Sequence, residues 1–138
     1  MNKTLIATAL IVLAVTGLFF VLLPARHLAY VDSAMGSVRI LNDSAHTYAK
    51  THPDLGFPKT IQDMFTDGLI EAALGRGEKN HYHFTYLPKI SATKGRVEGF
   101  QIQADPTGGS KGWHFYIDET SVLRAKENAP ANEASPAL

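Results

Sequence analysis

The chain has 138 residues, 13 Lys plus Arg against 13 Asp plus Glu, and no cysteine. That length holds one small domain beside an anchor and no more. Zero formal net charge excludes the global basic field of nucleic-acid binders. The missing cysteines exclude disulfides, thiolate metal sites and Cys nucleophiles.

The first predicted element is a long helix in two halves. Leu5 to Leu23 carries no charged residue. At about 1.5 Å per residue it approaches the roughly 30 Å hydrocarbon thickness of a bilayer. A domain this small cannot surround a helix that is apolar on every side, so a buried core helix is disfavoured. A cleaved signal peptide would need small residues at the cleavage point, and Ala29 and Ala34 lie in poor contexts. The run therefore reads as an uncleaved anchor, residues 1–29, spanning the inner (cytoplasmic) membrane once. Lys3 lies on one flank and Arg26 with His27 on the other, so charge alone leaves the orientation near balance. The N-terminus is placed in the cytoplasm because only that side carries no domain to translocate, which puts the head in the periplasm or otherwise outside the cytoplasm. Thr16 and Gly17 allow close helix packing, without a G-x-x-x-G pattern.

From Tyr30 the pattern turns amphipathic. Val31, Ala34/Met35, Val38, Leu41, Ala45 and Tyr48/Ala49 recur every three or four residues, with Asp32, Ser33, Arg39, Asp43 and Lys50 mostly off that face. Pro53 ends the helix near Lys50 to His52. A loop follows, and then a short piece over Thr60 to Phe65 with a cap signal at Thr60. Asp67-Gly68 is a turn, and Leu69 to Leu74 is another short helix closed by Gly75 and Gly77. Neither piece is long enough to stand without packing.

The remainder is strand-like. His81 to Leu87 alternates, with Tyr82, Phe84 and Tyr86 on one side and His81 and His83 on the other, and Pro88 closes the strand. Val97 to Ala104, Trp113 to Ile117 and Ser121 to Arg124 complete an antiparallel meander of three or four strands. Its apolar face needs cover, and only the amphipathic half of the helix is long enough to supply it. The expected fold is α+β, with a head over residues 30–126. Residues 127–138, rich in Ala, Pro, Asn and Ser, read as a disordered tail.

Several constellations invite chemistry. His81, His83 and His114 on strands offer imidazoles toward a metal, but a solvated sheet face accounts for them. Ser110, His114 and Asp118 outline a triad without a nucleophile elbow. Thr107 to Gly112 lacks phosphate-loop spacing. Asp118-Glu119 has too few neighbouring oxygens for calcium. Phe84, Tyr86, Phe100, Trp113 and Phe115 suit a stacking platform but better suit a core against Val38, Leu41, Ala45 and Tyr48. No catalytic, cofactor or metal site is expected, and the protein reads as a non-enzyme.

An apolar N-terminal helix that continues as an amphipathic spine under a small antiparallel sheet resembles the type IV pilins and type II secretion pseudopilins. Lys3-Thr4-Leu5-Ile6-Ala7 falls on that family's F-T-L-I-E start, and Pro24 on the proline that kinks its helix. Val31 to Ala45 is similar to a stretch in a pilin-like subgroup known from Acidobacteria. So is Phe100 to Arg124, with Ala104-Asp105-Pro106, Trp113 to Glu119 and Ser121 to Arg124. The resemblance covers nearly the whole chain. It implies a pilin-like fold and a structural subunit of a secretion or pilus system. Its partners would be the lipid bilayer and other pilin-like subunits or secretion-system membrane proteins, reached through the N-terminal helix, with no nucleic acid. Asn2 and Lys3 replace the Gly and aromatic of the processing site, and Ala7 replaces the family's intramembrane Glu. An intramembrane charge is costly unless paired, so loss of the Glu and loss of processing go together. The alternative expectation is thus a membrane-tethered pilin-fold binding module that is neither processed nor assembled into filaments.

Overall fold

The computed structural model describes the backbone of residues 3–138 except Thr93, and side chains from residue 26 onward with the same exception. Eight elements follow in order. They are α1 (Lys3–Thr51), α2 (Ile61–Thr66), α3 (Ala72–Gly75), β1 (Glu78–Lys79), β2 (Tyr82–Ile90), β3 (Val97–Pro106), β4 (Trp113–Asp118) and β5 (Arg124–Glu127). The chain divides into two compact units, Met1–Asp32 and Ser33–Leu138. The side chains of the apolar run Leu5 to Leu23, and Pro24, lie outside the described residues. Among the described residues no helix is long and apolar enough to cross a membrane.

Within Ser33–Leu138 the fold is α+β, one helical spine with a five-stranded antiparallel sheet in the order β1-β2-β3-β4-β5. The expected apolar stripe is the buried one: Ala34, Val38, Leu41, Ala45 and Tyr48 are at most 9% exposed. They meet a core that includes Phe84, Phe100, Ile102, Phe115 and Ile117. The His46 ring of α1 stands edge-on to Phe100 of β3, centroids 5.7 Å apart. Tyr86 stacks on the same Phe100 ring at 5.6 Å. Offset aromatic contacts of this kind add to simple burial.

The helical pieces after α1 follow their caps. Thr60 Oγ1 accepts from Asp63 N–H, and the Asp63 carboxylate accepts from Thr60 N–H, a complete capping box. At the other end of α2, Leu69 N–H donates to Met64 O and Gly68 N–H to Phe65 O, with Gly68 at φ +70°. That is a Schellman motif, and it consumes Leu69. The helix expected over Leu69 to Leu74 therefore begins only at Ala72.

The sheet has one strand more than the upper expectation. Asn80 (φ 48°) and His81 (φ 65°) form a two-residue hairpin joining β1 to β2. Both residues take the left-handed conformation, as a type I′ turn requires. His81 is thus in a turn and does not share a strand face with His83. Pro88 does not close β2, which runs on to Ile90. The reason is geometric. Phe100 N–H donates to Glu119, on the β4 side, so the Phe100–Pro88 pair is not hydrogen-bonded. The nitrogen of Pro88 then faces away from β3, where a missing N–H costs no ladder bond.

The final strand lies further on than expected, at Arg124–Glu127. The segment after it, expected to be disordered, is packed. Ala125 N–H donates to Pro136 O, Leu138 N–H to Leu123 O, and Arg124 pairs with Ala137. Ala131 is 2% exposed and Ser135 5%. Small residues with little apolar surface order here because their backbone completes a sheet edge, and composition does not record that.

Candidate functional site

The structure separates the histidines that the sequence brings to mind. His83 is exposed on β2, with Nδ1 3.9 Å from Glu78 Oε1. His114 is 3% exposed on β4. Its Nδ1 lies 2.5 Å from Asp105 Oδ1 and its Nε2 3.1 Å from Ser110 O. Among the described residues no group of three or more His, Asp or Glu has the arrangement of a metal site. Ser110 offers His114 a carbonyl rather than a hydroxyl. Asp118 sits at the far end of β4, where it accepts from Thr120 N–H at 3.0 Å and from the Tyr116 hydroxyl at 3.2 Å. The acid beside His114 is Asp105, a pairing the sequence spacing did not suggest.

The glycine-rich connection Thr107 to Gly112 is tied at both ends. Thr107 N–H donates to His81 O, and Gly112 N–H to Asn128 Oδ1. The aromatic set is mostly core: Phe84, Phe100 and Phe115 are at most 2% exposed, while Trp113 is 38% exposed at the start of β4.

Burial alone would raise the carboxyls of Asp118 and Glu119. Hydrogen bonds and the Lys89 charge outweigh it, so both sit below the usual range. Glu119 accepts from Phe100 N–H and from Lys89 Nζ at 2.9 Å. It lies over Gly99, where an added Cβ would come within 2.9 Å of the carboxyl carbon. Burial, followed by nearby carboxylates, raises Tyr82 and Tyr86, and pushes Tyr116 to about 12.

One polar cluster was not visible in the sequence. Ser121, at φ 63°, has Oγ 3.0 Å from Asn42 Nδ2 and 3.2 Å from His46 Nε2. A hydroxyl within reach of an imidazole is the start of a nucleophile–base pair. The Ser121 N–H, however, is spent on Asp118 O, and the His46 ring otherwise lies edge-on to Phe57 and Phe100. The cluster ties α1 to the turn between β4 and β5.

Three of the clefts among the described residues of Ser33–Leu138 bear on function. One, of about 530 Å³, lies beside Ile40, Leu69, Ile70 and Leu74. A second, of about 310 Å³, lies between Gln101, Gln103 and Tyr116 and the C-terminal residues Asn132 to Ala134. The third, of about 360 Å³, runs along β2 at His83 to Tyr86. Lys59 to Gln62 form one wall and Gly75 to Gly77 the other. No side-chain ion pair engages Lys59 or Arg76 among the described residues. Of these three, the β2 cleft combines unengaged cations with an open sheet edge. No protein-family model, no curated protein and no solved structure matches this chain.

Proposed function

We propose that the chain is a non-enzymatic structural subunit of the pilin or pseudopilin kind, anchored in the inner membrane by its N-terminal helix with the head outside the cytoplasm. The observation that supports this reading is α1 (Lys3–Thr51), whose buried stripe Ala34, Val38, Leu41, Ala45 and Tyr48 serves as the spine of a small antiparallel sheet. An apolar run at one end of such a helix and a folded head at the other suit a protein that works by lateral helix packing in lipid. Polar heads then present a surface to partners.

A second reading rests on Asn2, Lys3 and Ala7. These residues lack the features that processing and charge-paired registration need, which favours a tethered module that stays unassembled. Intact mass and N-terminal sequencing of membrane-extracted protein separate the two. A mature chain beginning at Lys3 with a methylated amine supports the assembled subunit. A full-length mass supports the tethered module. Recovery of the full-length chain free of membranes, without detergent, would remove both. Replacing Asn2-Lys3 by Gly-Phe together with Ala7→Glu should restore processing, and an inert variant would show the motif alignment to be wrong.

A further inference from the structure

We propose that the free stretch of β2 from Thr85 to Ile90 receives an extended acidic peptide from a partner protein as an added strand, registered on Tyr86. The proposal does not depend on the pilin reading and fails separately from it.

Two other margins of the sheet are covered by the chain's own backbone. Along β5, Pro136 to Leu138 supply backbone partners to Leu123 and Ala125. At the start of β3, Leu55 and Phe57 bond to Val97 on the side that β4 does not reach. Beside β2, β1 pairs with only Tyr82 and His83. Its line continues for one bond, Phe84 N–H to Gly77 O at 2.7 Å. Gly77 then turns away at φ +75°. The cleft of about 360 Å³ occupies the space that a longer β1 would fill.

The alternation of the ladder fixes which groups face that space. Phe84 N–H points outward, so Tyr86 and Pro88 do too. Tyr86 thus presents both its N–H and its C=O, with no backbone partner among the described residues. Pro88 presents only a carbonyl. An incoming antiparallel segment would exchange two bonds at Tyr86 and donate a third to Pro88. This is strand addition anchored at Tyr86, and the missing donor of Pro88 disfavours a shifted register.

The charge around the edge selects the occupant. Lys59 and Arg76 stand on the two walls of the cleft and are exposed. Asp63, an acid on the Lys59 side, is committed to the backbone N–H groups of Lys59 and Thr60. Lys89 is held by Glu119 and does not compete. A strand with acidic side chains satisfies both free cations while its backbone meets Tyr86. Three backbone bonds are few, so the complex is weak and depends on the charge pairs.

The test uses the full-length chain, labelled with ¹⁵N, and three capped hexapeptides: alternating Glu–Val, alternating Lys–Val, and Glu–Val methylated on alternate backbone nitrogens. The Glu–Val peptide should shift the Tyr86 amide and slow its hydrogen exchange. Lys–Val and the methylated peptide should bind roughly tenfold more weakly or less. Lys59→Glu with Arg76→Glu, both surface changes, should lower Glu–Val affinity by roughly tenfold and raise that of Lys–Val. Equal binding of the methylated peptide overturns strand addition. Equal binding of the two charge types, or indifference to the double variant, overturns the acidic partner. So does a Tyr86 amide unmoved by any peptide at about millimolar concentration, the weak end of specific affinity. Tyr86 shifts that appear with protein concentration alone would assign the edge to a second copy of this chain instead.

Discussion

The two ends of the sheet solve the same problem differently. At β5 the chain returns on itself, and Pro136 to Leu138 bond along Leu123 and Ala125. At β2 the neighbouring strand stops after two pairs, and the remaining edge carries Pro88, Lys89 and an exposed Ile90. Proline and lysine are the devices by which natural sheets discourage indiscriminate pairing at an edge. One end is covered by its own backbone, and the other is left open with one of its outward donors removed by Pro88. A covered edge adds stability. An open edge with a fixed register adds none and leaves room for recognition.

Beneath the open edge the sheet is held by a ring cluster. Phe100 is fully buried there and touches Phe57, Tyr86 and His46. Phe100→Ala should cost about 3–5 kcal/mol in denaturant unfolding. A loss below about 1 kcal/mol would mean that the ring cluster is not the keystone between α1 and β2.

Deleting residues 129–138 tests the covered edge. It removes the backbone bonds to β5, each worth about 0.5–1.5 kcal/mol net, and exposes Leu123 and Ala125. The expected loss is roughly 2–3 kcal/mol, with faster exchange at the Ala125 amide. The matching change on the open side, Pro88→Val, should move stability by no more than about 0.5 kcal/mol and increase concentration-dependent association. If the two changes cost the same, the contrast between the edges is wrong.

The pH dependence sharpens the contrast further. Burial pushes Tyr116, which lies in the cleft covered by Asn132 to Ala134, from 10.0 to about 12. A raised folded pKa means that the unfolded chain loses this proton first. The stabilisation is whole below pH 10 and falls as pH rises toward 12. Tyr116→Phe should flatten the alkaline limb of a stability–pH curve, and an unchanged limb would show that the tail does not shield the ring. Asp118 and Glu119 act in the opposite sense: their carboxyls are lowered, so their contribution is present at neutral pH and lost as pH falls into the acid range. The smallest effect belongs to Lys89→Ala. Its exposed pair with Glu119 is worth about 0–1 kcal/mol, and the difference should shrink in high salt.

Much of the head is legible in residue order. The stripe Ala34, Val38, Leu41, Ala45 and Tyr48 follows from helical period, and the start of α2 follows from Thr60 and Asp63. The three long strands follow from alternation and turn residues, to within a few positions at their ends. The Asn80-His81 hairpin was missed because the second turn residue is not the glycine that the type I′ turn favours. The shift of β5 and the length of β2 were missed because pairing partners decided them. Pro88 belongs to a strand only because its nitrogen faces the open side.

By itself, then, the sequence determined the amphipathic spine, the local caps and the strand count to within one or two. Those depend on periodicities and on contacts a few residues apart. Only the tertiary structure decided that the Ala- and Pro-rich tail covers β5, that His114 meets Asp105, that Ser121 meets Asn42 and His46, and that β2 is left open beside Lys59 and Arg76. Each of these joins groups far apart in the chain, through backbone or polar atoms whose hydropathy carries no trace of the partner.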